Sequence, residues 1–438
     1  MPSSAAANLP VPGPARPVPR DTGEERLRRP AAPGAEAAYD WRQGLPVIHG
    51  ASAVLREPRL ADAAALHACL TSPPVKRFIS VPPPSPEGFQ RFISWLQHER
   101  QVGRHICFAI VPGGADRPVG LLQVREVEAG FGTAEWGFAL GEAHWGTGLF
   151  MECAPLVVDF AFREARLHRL EARASIANGR GNRVLQKLGA VPEAILRDSF
   201  ANAEMRTHQI LWAMVADDWL AAHPEPPRRA FEPMVQPPEL PTAEQRAPSA
   251  SFRARLPVLR GTGIVLRELE SADAESLASL FADTEVRRYI PQPPPTAHDF
   301  DRFIQWTRVQ RESGTVLTFA MAPHEGHAAV GVLQLHELEP PFKTAEWGFV
   351  LGRPYWGTGL FSRASDLFLQ FAFDTVGVFR LEARAMAANG RANAVLRRLG
   401  SIEEGHLRRS FLLGGQYHDD LLWSLLQSDW RRRQSSSG

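Results

Sequence analysis

The sequence contains one long stretch twice. Residues 133–150 return as residues 344–361 with fourteen of eighteen positions identical, at an offset of 211. The same offset holds without a gap over most of the chain. Asp62 pairs with Asp273, Phe89 with Phe300, Phe92 with Phe303, Trp95 with Trp306, Gly120 with Gly331 and Gln123 with Gln334. Residues 169–189 agree with 380–400 at fifteen of twenty-one positions, and Trp212 and Trp219 meet Trp423 and Trp430. A period of this length is far beyond the repeat of a solenoid or propeller. The chain therefore reads as one whole domain written twice, and 438 residues suffice for two separate cores.

Composition narrows the class. Hydrophobic residues make up 44% and charged residues 22%, the range of ordinary globular domains. A net charge of +1 gives no global field for nucleic acid or an anionic membrane. Cys69, Cys107 and Cys153 are too few and too scattered for a disulfide framework or a zinc site, so no metal is expected and they read as buried thiols. No apolar run approaches a membrane span and no signal-peptide core is evident, which predicts a soluble cytoplasmic protein. Residues 1–45, rich in Pro, Ala and Arg, read as a disordered arm. Residues 223–256, with prolines from Pro224 to Pro248, read as a semi-extended linker. That leaves domains at 46–222 and 257–432, and a tail at 433–438.

Each copy has the same pattern. A strand over 53–57 precedes a helix from Ala61, a Pro-rich turn, and a helix over 87–101 with Phe89, Phe92, Ile93 and Leu96 at helical spacing. Strands follow near 106–111, 119–127 and 134–140. A helix over 147–163 leads to a strand at 169–176, a helix at 179–188 and two last strands near 195–200 and 209–215. The fold class is α/β of the α+β type: two tandem domains, each a mixed, mostly antiparallel sheet flanked by helices.

The chemistry concentrates where a strand runs into Trp145-Gly-Thr-Gly148, and again into Trp356-Gly-Thr-Gly359, before a helix. Free N–H groups at such a helix start make an anion cradle. On the strand, a period of two puts Glu135, Gly137 and Ala139 on one face and Trp136, Phe138 and Leu140 on the other. Downstream, each copy carries an Asn before a helix that closes in Leu-Gly.

This arrangement resembles the GNAT superfamily of acetyl-CoA-dependent N-acetyltransferases. More narrowly it is similar to the branch of the ribosomal-protein acetyltransferases RimJ and RimL. The resemblance rests on the two Trp-Gly-Thr-Gly turns, Arg169-Leu-Glu-Ala172 with Asn178 and Val184 to Gly189, and Arg380-Leu-Glu-Ala383 with Asn389 and Val395 to Gly400. It implies that acetyl-CoA is the acetyl donor and a primary amine, on a peptide N-terminus or a small molecule, the acceptor. The pyrophosphate is expected on Gly146, Thr147, Gly148 and Leu149, and on Gly357, Thr358, Gly359 and Leu360. The pantetheine arm is expected along the backbone of Phe138, Ala139 and Leu140, and of Phe349, Val350 and Leu351. Asn178 and Asn389 match the family Asn that contacts the cofactor, with a helix N-cap as the competing role.

Glu135 and Glu346 are the candidate general bases, with Glu171 and Glu382 behind them; an ion pair with Arg173 is the competing reading for Glu135. Asp419 matches a family Asp tied to substrate binding or fold support, and His208 stands in its place in the first copy. Two departures stand out. The cradle begins with Ala143 and Pro354 where relatives often carry Gln or Arg. The Ser that serves relatives as a candidate thiolate acid is Gly181 in one copy and Ala392 in the other, which leaves the general acid unassigned. Because Glu404-Gly405 and Asp419 survive in the second copy, that copy is expected to be the catalytic one. The alternatives are a catalytic copy beside a structural or regulatory one, and a non-catalytic acyl-CoA sensor. An internal pseudo-dimer of the two copies is left open.

Overall fold

The computed structural model describes residues 40–127, 132–202, 206–225, 231–233, 251–339 and 342–437. Most of the N-terminal arm and of the proline-rich linker, and the last residue of the tail, lie outside the described residues. The described residues form two compact units, divided in sequence between residues 244 and 245.

In the N-terminal unit, β1 (Pro46–His49) and β2 (Ala53–Arg56) precede α1 (Ala63–Leu70), α2 (Pro73–Lys76) and α3 (Pro86–Gln101). Then come β3 (His105–Pro112), β4 (Gly120–Glu126) and β5 (Thr133–Leu140). Helix α4 (Leu149–Arg163) leads to β6 (Arg169–Ser175) and α5 (Gly179–Lys187). The unit closes with β7 (Val191–Ala201), β8 (Arg206–Val215), α6 (Ala216–Ala222) and β9 (Phe231–Pro233). Local chemistry sets several of these starts. Pro86 opens α3, and the Ser85 hydroxyl accepts the Gly88 N–H at 3.1 Å.

The C-terminal unit repeats the plan. Helix α7 (Ser251–Ala254), β10 (Leu259–Gly261) and β11 (Ile264–Glu268) lead to α8 (Ala274–Phe281), α9 (Thr284–Arg287) and α10 (Ala297–Ser313). Strands β12 (Val316–Ala322), β13 (Gly331–Glu339) and β14 (Thr344–Leu351) precede α11 (Leu360–Gln370). The rest is β15 (Arg380–Met386), α12 (Gly390–Arg398), β16 (Ile402–Leu413), β17 (Gln416–Leu426) and α13 (Gln427–Ser437).

The strand order is β9-β1-β2-β3-β4-β5-β6-β8-β7 in one unit and β10-β11-β12-β13-β14-β15-β17-β16 in the other. Within each unit the pairings are antiparallel except β5 with β6 and β14 with β15, so the expected mixed, mostly antiparallel sheet is present twice. Helix α4 packs on one sheet face through Cys153, Val157 and Phe160, which meets Phe108 at 5.3 Å between ring centres. Helices α1 and α3 cover the other face over Cys107, Ala109 and Leu121. Alternation along the strands feeds both cores, so the sheet is sandwiched.

Several details differ from the expectation, the short helices α2 and α9 and the closing helices α6 and α13 among them. Strand β1, paired between β9 and β2, is additional; its four residues were too short to show a period. Strand β7 runs eleven residues, because a bulge between Leu196 and Phe200 interrupts the alternation that marks a strand in sequence. Helix α4 starts at Leu149, since Gly148 sits at φ +88°, outside helical space.

Candidate active site

The site begins where two strands part. Strands β5 and β6 pair only at Thr133, Ala134 and Glu135 against Arg169, Leu170 and Glu171. Beyond that point β5 continues along β4 to Leu140, while β6 continues along β8 to Ser175. Strands β14 and β15 part in the same way after Glu346 and Glu382. A gap therefore opens in the middle of each sheet, with the glutamate at its closed end.

Backbone direction inside the gap follows from one bond. The Gly141 N–H donates to the Val119 carbonyl at 2.8 Å. Alternation then turns the groups of Ala139 toward β4, and those of Phe138 and Leu140 toward the gap. The Leu140 carbonyl is already taken by the Trp145 indole N–H at 2.8 Å, and the Leu351 carbonyl by Trp356 at 2.8 Å. The gap thus offers the N–H and C=O of Phe138 and the N–H of Leu140. Ala139 and Val350 do not present their backbone there, which corrects the expectation that all three residues pair with an added strand.

At the open end lies the glycine turn. Gly146 and Gly148 adopt φ of +75° and +88°, and Gly357 and Gly359 +75° and +78°, where a side chain is strained. A Cβ on Gly146, Gly148 or Gly357 would meet no atom within 4 Å, so these turns face open space. First-turn N–H groups of α4 and α11 lack an i−4 partner by geometry. Those of Leu149 and Leu360 lean on the hydroxyls of Thr147 and Thr358 at 3.4 and 3.3 Å.

Asn178 is an N-cap: its carbonyl oxygen accepts the Gly181 N–H at 2.9 Å, and Asn389 accepts that of Ala392 at 3.1 Å. Two residues on, Arg180 lies over the Trp145 ring at 3.8 Å, and Arg391 over Trp356 at 3.9 Å. Sequence reading missed these arginines. They return a cation to the turn that Ala143 and Pro354 deny it, and their identity in both copies was the available signal.

Glu135 has cationic neighbours on both sides. Arg125 donates to its Oε2 at 3.0 Å from β4, and Arg173 Nε stands 3.6 Å away on β6. In the C-terminal unit Arg384 Nε stands 3.8 Å from Glu346, and the cross-strand neighbour is His336 instead of an arginine. Burial holds the His336 ring neutral, with its pKa down to about 4. On the same sheet face, one strand beyond Arg125, His105 contacts Gln123 at 3.3 Å and meets the Trp95 ring edge-on at 5.2 Å.

Glu171 and Glu382 leave the list of candidate bases. Fully buried Arg169 donates to Glu171 at 2.9 Å and to Glu193 at 2.6 Å, and Arg380 does so to Glu382 and Glu404 at 2.8 and 2.6 Å. Since Glu193 repeats the part of Glu404, the latter does not mark the second copy as special. Asp419 also has a structural partner: its Oδ1 accepts the Arg409 N–H at 2.8 Å, and its Oδ2 faces His406 Nε2 at 2.9 Å. His208 performs the same backbone task, its Nδ1 accepting the Asp198 N–H at 3.0 Å. Both capped residues have φ of +49° in the strand bulge, so acid and imidazole serve one turn. Burial pushes the Cys153 thiol up to about 12, which leaves it a poor nucleophile.

The family model described as an Acetyltransferase (GNAT) domain matches this chain twice, over residues 53–191 and 264–402. The chain belongs to the GNAT acetyltransferases. Each match spans one parting of strands and one glycine turn, so this is an acyltransferase with two tandem GNAT domains. The chain is 27% identical over 173 residues to the putative ribosomal N-acetyltransferase YdaF of Bacillus subtilis, covering 38% of this chain and 93% of that protein. Identity to the probable N-acetyltransferase YjcK of the same organism is 34% over 134 residues, 30% of this chain and 74% of the relative. Spermidine N(1)-acetyltransferase of Escherichia coli is 25% identical over 177 residues, 40% of this chain and 92% of the relative. GNAT enzymes draw their acetyl group from acetyl-CoA, and the open glycine turn, the free backbone groups of Phe138 and Phe349, and the adjacent arginine fit that molecule. Among the described residues no helix is long and apolar enough to cross a membrane, and no group of His, Cys, Asp or Glu is placed to hold a metal ion.

Proposed function

We propose that each unit holds acetyl-CoA between its parted strands and acetylates a primary amine, with Glu135 or Glu346 as the base. The observation that carries this reading is the parting of β5 from β6 directly after Glu135, repeated after Glu346. The bound donor supplies a thioester activated for acyl transfer. The turn residues Gly146, Thr147 and Gly148, with Arg180, neutralise its phosphates through N–H groups and charge. Phe138 pairs its backbone with the arm. Asn178 fixes the start of α5 and so the position of Arg180.

An ammonium cannot attack a carbonyl until it loses a proton. Glu135, at the closed end of the gap, accepts that proton directly or through one water, freeing the nitrogen lone pair for attack. The acceptor class is a primary amine, in keeping with the relatives' names: YdaF is a putative ribosomal N-acetyltransferase and the Escherichia coli enzyme a spermidine N(1)-acetyltransferase. The test is release of free thiol from acetyl-CoA with spermidine and with N-terminal peptides. The double variant Glu135→Gln, Glu346→Gln is expected to lose about 10²-fold or more in kcat/KM on every acceptor. Full activity of the double variant across the pH range would remove both glutamates as bases.

A further inference from the structure

The two glycine turns are alike in backbone and opposite in charge. Glu142 stands three residues before Trp145, and Glu152 four residues after Gly148. The same places in the C-terminal unit hold Arg353 and Arg363, so these two positions carry formal charges of −2 and +2. Glu152 is committed to its own unit: its carboxylate accepts the Ser52 N–H at 2.7 Å and the Ser52 hydroxyl at 2.5 Å. Arg363 is placed differently. Its Nη1 lies 3.0 Å from the point where a Cβ on Gly359 would sit, so the guanidinium reaches the turn itself. Its Nε is buried without a hydrogen-bond partner among the described residues. Such a donor is unfavourable until something supplies an acceptor. Arg353 Nη1 is 3.6 Å from Asp283, with more than half of its side chain exposed.

We infer that the C-terminal unit is the tight site for the diphosphate of CoA and the N-terminal unit a weak one. A chain short of cofactor is therefore loaded on one side only. This rests on the reading of both turns as CoA sites and adds the order in which they fill. The physical reason is direct. A diphosphate held on the glycine turn would bring several negative charges near these positions, where partly exposed groups still act over a Debye length of about 10 Å at 0.1 M salt. A guanidinium also matches phosphate geometrically, whereas a carboxylate repels it. Arg180 and Arg391 occur in both units and cancel from the comparison.

Calorimetric titration of the full chain with CoA tests the inference without any turnover. At low salt, two classes of site are expected, their dissociation constants at least about tenfold apart, converging as salt is raised toward 0.5 M. The double variant Arg353→Glu, Arg363→Glu should weaken the tight class at least about tenfold and leave the weak class in place. Glu142→Arg should tighten the weak class. Pantetheine, which lacks the phosphates, should respond to none of these changes. If the double reversal unfolds the unit, as circular dichroism would report, Arg363→Gln and the wild-type salt series decide the matter. Two equal sites in the wild type, or a tight class indifferent to Arg363, overturn the inference while leaving both turns as CoA sites. Failure of either unit to bind CoA at all would instead remove the cofactor reading, and this inference with it.

Discussion

Arg125 donates a 3.0 Å hydrogen bond to Glu135 across two antiparallel strands, and the matching pair in the C-terminal unit is His336 facing Glu346. The proposed bases therefore work beside different neighbours. In a chain silenced by Glu346→Gln, Arg125→Ala is expected to raise kcat/KM for spermidine about two- to fivefold, the worth of a half-exposed ion pair. The change removes both a cation that repels the acceptor and a competitor for the carboxylate. A fall in kcat/KM, measured by thiol release, would mean that Arg125 orients Glu135 instead of restraining it.

The buried triads should dominate stability. Arg169 is fully buried between Glu171 and Glu193. Removing it by Arg169→Ala strands two carboxylates in the core and is expected to cost about 3–5 kcal/mol. Replacing all three residues by apolar ones of similar volume should cost much less, because no charge is left without a partner. Urea unfolding followed by tryptophan fluorescence would separate the two cases, with the C-terminal unit as an internal reference.

His336 makes the C-terminal unit acid-sensitive. Burial lowers its pKa from 6.5 to about 4, so the folded unit resists protonation more than the unfolded chain does. The unfolded state then binds the extra proton first, and stability falls as pH drops from 6.5 to about 4, levelling off below. The full loss is about 3 kcal/mol. His336→Gln should flatten that part of the stability curve of the C-terminal unit. The ring itself should titrate near pH 4 by NMR; titration near 6.5 would show that it is not buried as described.

The missing hydroxyl can be restored. Ala392 is the first-turn residue whose N–H is capped by Asn389. Ala392→Ser keeps that backbone and adds a donor where relatives carry a candidate acid for the departing thiolate. An increase in kcat of about tenfold or more is expected, with little change in KM. Gly181→Ser should respond less, since a Cβ there would lie 2.6 Å from Asn178 Nδ2 and disturb the cap. Equal rates for Ala392→Ser and the parent would place thiolate protonation outside the slow step.

Sequence alone determined the duplication, the order of elements and the positions of the glycine turns. Those features are local, or follow from a constant offset: alternation marks a strand, helical spacing marks an amphipathic helix, and a positive φ selects glycine. It also named Glu135 and Glu346 from their strand face, together with Arg173 as a neighbour. Only the tertiary structure decided which backbone groups face the gap, because that depends on the register of β5 against β4 and on where β6 leaves it. For the same reason, the backbone direction of Ala139 could not be told from that of Phe138 until the strands were paired. Glu171 stayed on as a second candidate behind Glu135 until Arg169 and Glu193, the latter 22 residues further along the chain, closed around it. Asp419 and His208 looked like different chemistry until both proved to cap one left-handed residue. Charge at the two turns was legible throughout, as Glu142 and Glu152 against Arg353 and Arg363. What the fold added was distance: it brought Arg363 to the glycine turn and tied Glu152 to Ser52.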